Sequence, residues 1–411
     1  MAVGNNNTSY HKVAGTRLSS IACGVKSRGD DLVLFEFAPG SHTAGMFTRS
    51  VFAAAPVVVG KAHLQHSAPR YFLINSGNAN AGMGDTGIKD ATLCCQALAT
   101  LVDASMETVL PFSTGVIGER LPTDKIIAGL DDAVRALDED GWMSAARGIM
   151  TTDTRPKIAS RQVELRGKIA TITGITKGAG MIQPNMATML SYVVTDVAAS
   201  TQTLQQCLSI AVNSSFNRIT VDSDTSTNDS SMLTATGQSG IDIDADADDH
   251  AESETKSGVL DQFQAVLNEV FLELAHGIIR DAEGATKFVA VAVNNGLTVQ
   301  DCLSIAYSIA NSPLMKTAIH ASDANWGRIV MAVGKAGVTL DINKLDIWLG
   351  DVCLMQAGQK HEAYTESQGA AVMAREEIMI TIDLHAGNIN ETVWTSDLSQ
   401  EYVRINANYR S

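Results

Sequence analysis

A turn constrains this chain more than any other feature. Apolar, β-branched runs at residues 169–175 and 189–194 enclose KGAGMIQPNMATML, residues 177–190. A Gly- and Pro-bearing stretch between two such runs reads as a loop held by a sheet. Gly180 and Pro184 bend and restrict it, and Thr188, after the small Ala187, opens the second run. A hydroxyl at that point is held rigidly yet is reachable from the turn side, which is what a nucleophile needs. β-branched threonine at the start of a strand also serves packing alone, so residue type by itself leaves both roles open.

At 411 residues and 45% hydrophobic content the chain is long enough for two domains or one large one with an ordinary core. Its net charge of -15 argues against nucleic acid or an anionic membrane as partner, because such partners need a basic face. The six cysteines are scattered without a CxxC pair, which favours free thiols and a reducing compartment. No run reaches transmembrane length, and MAVGNNNTSY lacks the basic and apolar parts of an export signal. A cytoplasmic location is the expectation.

Along the chain, residues 32–37, 56–59 and 71–75 read as short strands. The last leads into SGNANAGMGDTG, a turn whose Gly and Asn tolerate left-handed backbone. Ile88, Ala91, Cys95, Leu98 and Val102 form a helical stripe that gives Cys95 a core role. PFSTGVIGERLP follows, then a helix marked by Ile126, Leu130, Val134 and Leu137 with Thr123 as its expected cap. In that loop Thr114 and Gly115 set a hydroxyl beside an unencumbered N–H, the donor types of an oxyanion hole, although most Thr-Gly pairs are only turns.

DSDTSTNDS, residues 222–230, admits three readings. An EF-hand is poorly matched, since Thr227 and Leu233 stand where Gly and Glu are needed. Asp222-x-Asp224 after an apolar strand suits an aspartyl phosphatase, and a side-chain-bonded turn suits the composition equally. Residues 241–254 carry much of the acidic excess and are expected to be a solvated loop. Val259 to Leu274 mark a long amphipathic helix, and Glu283 lies at its turn into the strand FVAVAV, where most carboxylates are simply solvated but a partly desolvated one could shuttle a proton. The terminal YVRINANYRS alternates as a docked strand would. His63 and His66 lack a third ligand, so no metal is expected, and no dinucleotide, P-loop, GxSxG or HExxH motif occurs.

Taken together, KGAGMIQPNMATML, NSGNANA, PFSTGVIGERLP, MTTDT, DTSTND, RDAEGATKF, SDANWGR and YVRINANYRS closely resemble the ornithine acetyltransferase, or glutamate N-acetyltransferase, family of arginine biosynthesis. The matches run in the family's order from about Lys12 to Ser411. Gly82-Met83 replaces a Cys-Thr common in relatives, and the acidic loop is longer than usual; neither touches the motifs that carry chemistry.

The resemblance implies a layered α/β fold shared with self-processing aminopeptidases. It implies a precursor that cuts itself between Ala187 and Thr188 into an α chain (1–187) and a β chain (188–411), which associate as two of each. Thr188 would be the nucleophile, Thr114 and Gly115 the oxyanion hole, and Glu283 the proton shuttle. Thr151, Lys177, Thr188, Glu283, Asn406 and Ser411 would contact N-acetylornithine and glutamate, with Thr152 an alternative match to Thr151. Lys177 suits a substrate carboxylate. No cofactor is implied, and acetyl-CoA is left open as a second acetyl donor. A self-processing peptidase, which would pass the acyl group to water, and a binding protein needing no cleavage are the competing readings.

Cleavage before Thr188 would free an α-amine with a pKa of about 7.7–8.0, a base on the same residue as the nucleophile. Thr188→Ala should therefore remain one inactive chain on a denaturing gel, whereas the native sequence gives two; two fragments from the variant would contradict self-cleavage.

Overall fold

A computed structural model describes residues 2–4, 8–183, 189–245 and 256–408. Ala187, Thr188 and Ser411 lie outside these residues. Two sheets form the heart of the molecule. One runs in the order Thr16–Ile21, Leu32–Phe37, Tyr71–Asn78, Val109–Val116, and the other His42–Phe47, Ser230–Ala235, Leu190–Thr195, Lys168–Lys177, Lys157–Leu165.

Strand alternation explains why they stack. Phe35, Phe72 and Phe112 of the first sheet meet Ile175, Leu190, Tyr192 and Val194 of the second in one aromatic-rich core. The Phe72 and Phe112 rings meet edge to face at 5.2 Å, and Phe112 meets Tyr192 at 5.1 Å. The alternate residues of the first sheet, among them Leu32, Leu34 and Leu73, face outward onto helices Gly84–Leu101 and Thr123–Arg135. Those of the second, among them Ile172, Val193 and Leu233, face helices Thr201–Ser214 and Lys256–Arg280. The result is a helix–sheet–sheet–helix layering, the α/β class expected. A third sheet of seven strands, which includes Phe288–Gly296, has its own core with helices Val299–Ala310 and Trp326–Gly334. Among the described residues no helix is long and apolar enough to cross a membrane.

Four local expectations need correction. Residues 56–59 are helical, in Ala55–His66: Pro56 suits a first helical turn, and packing of Val57 and Val59 overrides their β preference. Thr123 does not cap its helix but begins it after Pro122. The terminal segment is a helix, Gln400–Ala407, capped by Ser399 accepting from Tyr402 N; Val403 is exposed, so the alternation reflected no sheet. The start of the acidic stretch is packed, with Ile241 and Ile243 buried, while residues 246–255 lie outside the described ones. Cys95 is buried in the core as expected, and His63 is buried with Nδ1 2.7 Å from Val109 O.

A buried charge cluster ties the layers together. Lys157 Nζ donates to Asp153 Oδ1 at 2.6 Å and Asp281 Oδ2 at 2.7 Å. Asp153 also accepts from Thr151 N at 3.0 Å and Gly178 N at 2.7 Å, and Asp281 from Thr154 N at 3.0 Å. Burial alone would raise the Asp153 carboxyl, but the Lys157 and Lys177 charges and the bonds it accepts outweigh burial and hold it below the usual carboxylate range. A carboxyl depressed in the folded state adds stability that is complete above its unfolded pKa, about 3.9, and is lost as pH falls toward the folded value. Asp153→Asn lacks this contribution at every pH. The gap in thermal midpoint between native protein and variant should therefore be wide near neutral pH and narrow as pH falls below about 4; a gap independent of pH would contradict the account.

Candidate active site

Strand direction brings the loops to one end of the sandwich. Tyr71–Asn78 and Val109–Val116 are parallel, with Ser76 opposite Thr114 and Gly77 opposite Gly115, so their C-terminal ends lie side by side. In the second sheet Lys177 pairs with Leu190, and Ser230 pairs with Leu190 in parallel. The exit of one strand and the entries of two others therefore meet at the same edge. Between the sheets at this end lies a cavity of ≈ 300 Å³ whose lining includes Thr114, Gly115, Thr151, Lys177, Glu283 and Asn406. Thr152 lines it as well, so geometry does not choose between the two threonines. Met189, the residue after Thr188 in sequence, is on the same wall.

Gly115 has φ +135°, and a Cβ there would lie 2.3 Å from the carbonyl carbon of Gly77. Only glycine permits this close strand approach. Thr114 is buried, and its Oγ1 accepts a hydrogen bond from Lys177 Nζ at 3.2 Å. A hydroxyl that accepts from an ammonium keeps its own proton free to donate elsewhere. Lys177 is thus engaged with Thr114, a partnership that sequence reading did not foresee. Burial pushes the Lys177 amine down from its ordinary value, against the opposing charges of Asp153, Asp229 and Glu283.

Glu283 sits in the turn between helix Lys256–Arg280 and strand Phe288–Gly296. Its N–H donates to Ala179 O at 2.9 Å, which pins it to the loop that follows Lys177. The carboxylate is buried, accepts from Asn406 Nδ2 at 2.7 Å, and packs on Gly180, where a Cβ would meet Oε2 at 2.5 Å. The terminal helix that carries Asn406 is held in turn by Ser399 Oγ donating to Gly284 O at 2.7 Å and by Tyr402 OH donating to Asp222 Oδ2 at 3.0 Å.

The Asp222 carboxylate also accepts from Met181 N at 2.7 Å and Ile182 N at 2.8 Å. It braces the loop before residues 184–188 and faces its N–H groups, which settles the 222–230 stretch as a bonded turn in place of a phosphatase nucleophile. Sequence reading missed Ser226, Asn228 and Asp229, which also line the cavity. Asp229 is buried, and burial raises its carboxyl well above the ordinary range. The dense Asp, Ser, Thr and Asn composition was the available signal, but it fits an ordinary turn equally well. Among the described residues no cluster of three or more metal-ligating side chains occurs.

Sequence relatives extend over nearly the whole chain. A protein of Pseudomonas syringae pv. tomato named "Arginine biosynthesis bifunctional protein ArgJ" is 50% identical over 403 residues, spanning 98% of this chain and 97% of its own. A protein of the same name from Psychrobacter arcticus is 50% identical over 415 residues, spanning 100% of both. A crystal structure of arginine biosynthesis bifunctional protein ArgJ from Bacillus halodurans is 34% identical and covers 52% of this chain and 95% of that one, with a TM-score of 0.46. Residues 17–411 match the ArgJ family, and the chain belongs to it.

Proposed function

We infer that this protein is an acyltransferase of arginine biosynthesis that moves the acetyl group of N2-acetylornithine to glutamate, giving ornithine and N-acetylglutamate. The observation that carries this reading is the gathering around one cavity of Thr114, Gly115, Lys177, Glu283 and Asn406, which come from separate segments of the chain. Membership of the ArgJ family supports the same activity.

The chain cuts itself between Ala187 and Thr188, and the α chain (1–187) and β chain (188–411) remain together in a heterotetramer of two α and two β chains. In the first half-reaction Thr188 Oγ attacks the acetyl carbonyl carbon while its proton passes to the α-amine of the same residue. The carbonyl oxygen becomes an oxyanion that faces the Thr114 hydroxyl and Gly115 N–H, each donor being worth about 3 kcal/mol. The C–N bond to ornithine then breaks, and the proton on the α-amine returns through Glu283 to the leaving nitrogen. In the second half-reaction the glutamate amine attacks the acetyl ester and gives up a proton, which passes to Thr188 Oγ as the ester C–O bond breaks. Asn406 holds the Glu283 carboxylate at 2.7 Å, oriented for this shuttle. Thr151, Lys177, Asn406 and Ser411 position the two amino-acid substrates.

The word "bifunctional" in the relatives' names supports a second activity on the same threonine, acetyl transfer from acetyl-CoA to glutamate. No resident cofactor takes part in either reaction. The scattered cysteines, without a CxxC pair, support a cytoplasmic enzyme.

Assay of acetylornithine with glutamate, both varied, should give parallel double-reciprocal lines, as exchange through an acyl-enzyme requires; intersecting lines would indicate a ternary complex. Thr114→Ala should lower kcat about one hundredfold with a smaller change in KM. Turnover at the native rate in that variant would remove Thr114 from the site.

A further inference from the structure

An oxyanion hole works only if its donors are fixed before the charge appears, and the sheet ladder does not fix these donors alone. The pairing of Tyr71–Asn78 with Val109–Val116 loses its regular register at Gly77 and Asn78, opposite Thr114 and Gly115. At that irregularity a side chain from the second sheet's loop intervenes. Asn228 Nδ2 donates to Ser113 O at 3.0 Å and to Ala79 O at 2.6 Å, while its Oδ1 accepts from Thr227 Oγ1 at 2.6 Å. Asn228 is buried on the cavity wall. Its amide group is thereby oriented from both ends, and it joins the ends of the two parallel strands to each other.

Ser113 O belongs to the rigid peptide unit whose nitrogen is that of Thr114. Because the peptide is planar, holding that oxygen holds the plane from which the Thr114 side chain and then the Gly115 peptide depart. The Ala79 bond secures the neighbouring strand end, against which Gly115 is packed without room for a Cβ. We propose that Asn228 is a positioning residue of the acetyl transfer, locking the Ser113–Thr114 peptide so that the Thr114 hydroxyl and Gly115 N–H point at one oxygen. This rests on the reading of those two groups as the oxyanion donors. The same oxyanion forms with either acetyl donor, so loss of Asn228 slows both reactions alike, whereas a residue that merely touches one substrate acts on that substrate alone.

The test is a double-mutant cycle on the processed enzyme, with kcat and KM measured for acetylornithine and for acetyl-CoA as donors. Asn228→Ala should lower kcat about tenfold with either donor while KM stays within about twofold, and in a Thr114→Ala background the same substitution should cost less than about threefold. Equal losses in the two backgrounds, a change confined to KM, or a loss with one donor only would overturn the proposal. If Asn228→Ala does not accumulate folded, Asn228→Asp completes the same cycle, since it keeps the shape and loses a donor. A Thr114→Ala enzyme of undiminished kcat would instead overturn the oxyanion reading on which the proposal rests, an outcome distinct from the failure of Asn228 alone.

Discussion

The Lys157 ammonium, buried between Asp153 and Asp281, is the joint on which the site depends. It lies at the start of one strand, while Asp281 follows the long helix Lys256–Arg280 and Asp153 lies in the loop that carries Thr151. Through Gly178 N and Thr151 N, Asp153 fixes the backbone beside Lys177 and the threonine loop. Glu283 is only two residues beyond Asp281. Breaking one partner of such a buried pair costs about 3–5 kcal/mol because a charge is left uncompensated, even though the intact pair adds little net stability over an apolar replacement. Its contribution is geometric: three segments distant in sequence are held to one another next to the cavity.

The sandwich then determines what that joint can serve. Parallel pairing of Tyr71–Asn78 with Val109–Val116 places two glycine-bearing loops together, and the second sheet contributes Lys177, Met189 and the Asn228–Asp229 turn to the same end. Polar groups at the mouth of an aromatic core are largely shielded from water, where hydrogen bonds to a developing charge are worth most. Half-buried Lys177 and buried Asp229, both at this mouth, have pKa values displaced by desolvation in opposite directions, the amine down and the carboxyl up. Perturbed groups of this kind concentrate where function does.

Much of the fold was legible in the sequence because burial follows period. Short β-rich runs between Gly, Ser and Pro marked Leu32–Phe37 and most of Tyr71–Asn78, and helical stripes marked Gly84–Leu101, Thr201–Ser214 and Lys256–Arg280. Residues 56–59 misled because a valine run states a propensity, whereas packing on the neighbouring strand decided the outcome. The terminal segment misled because a short helix held by Ser399, Tyr402 and Asn406 has no apolar stripe to announce it. In the site, Thr114, Gly115, Lys177, Glu283 and Asn406 were named from family motifs, and the structure draws all five to one cavity. Asn228, Asp229 and the Lys157 joint were not legible, since their meaning lies in partners far away in the chain. Ala187, Thr188 and Ser411 lie outside the described residues.

The central claim is that acetyl passes through an ester on Thr188. Purified enzyme mixed with N-acetylornithine in the absence of glutamate, quenched in acid and analysed by peptide mass spectrometry, tests it directly. The account predicts one added acetyl group on the peptide that begins with Thr188, lost when glutamate is supplied. An unmodified Thr188 peptide under conditions where ornithine is released, or acetyl on another residue, would contradict it.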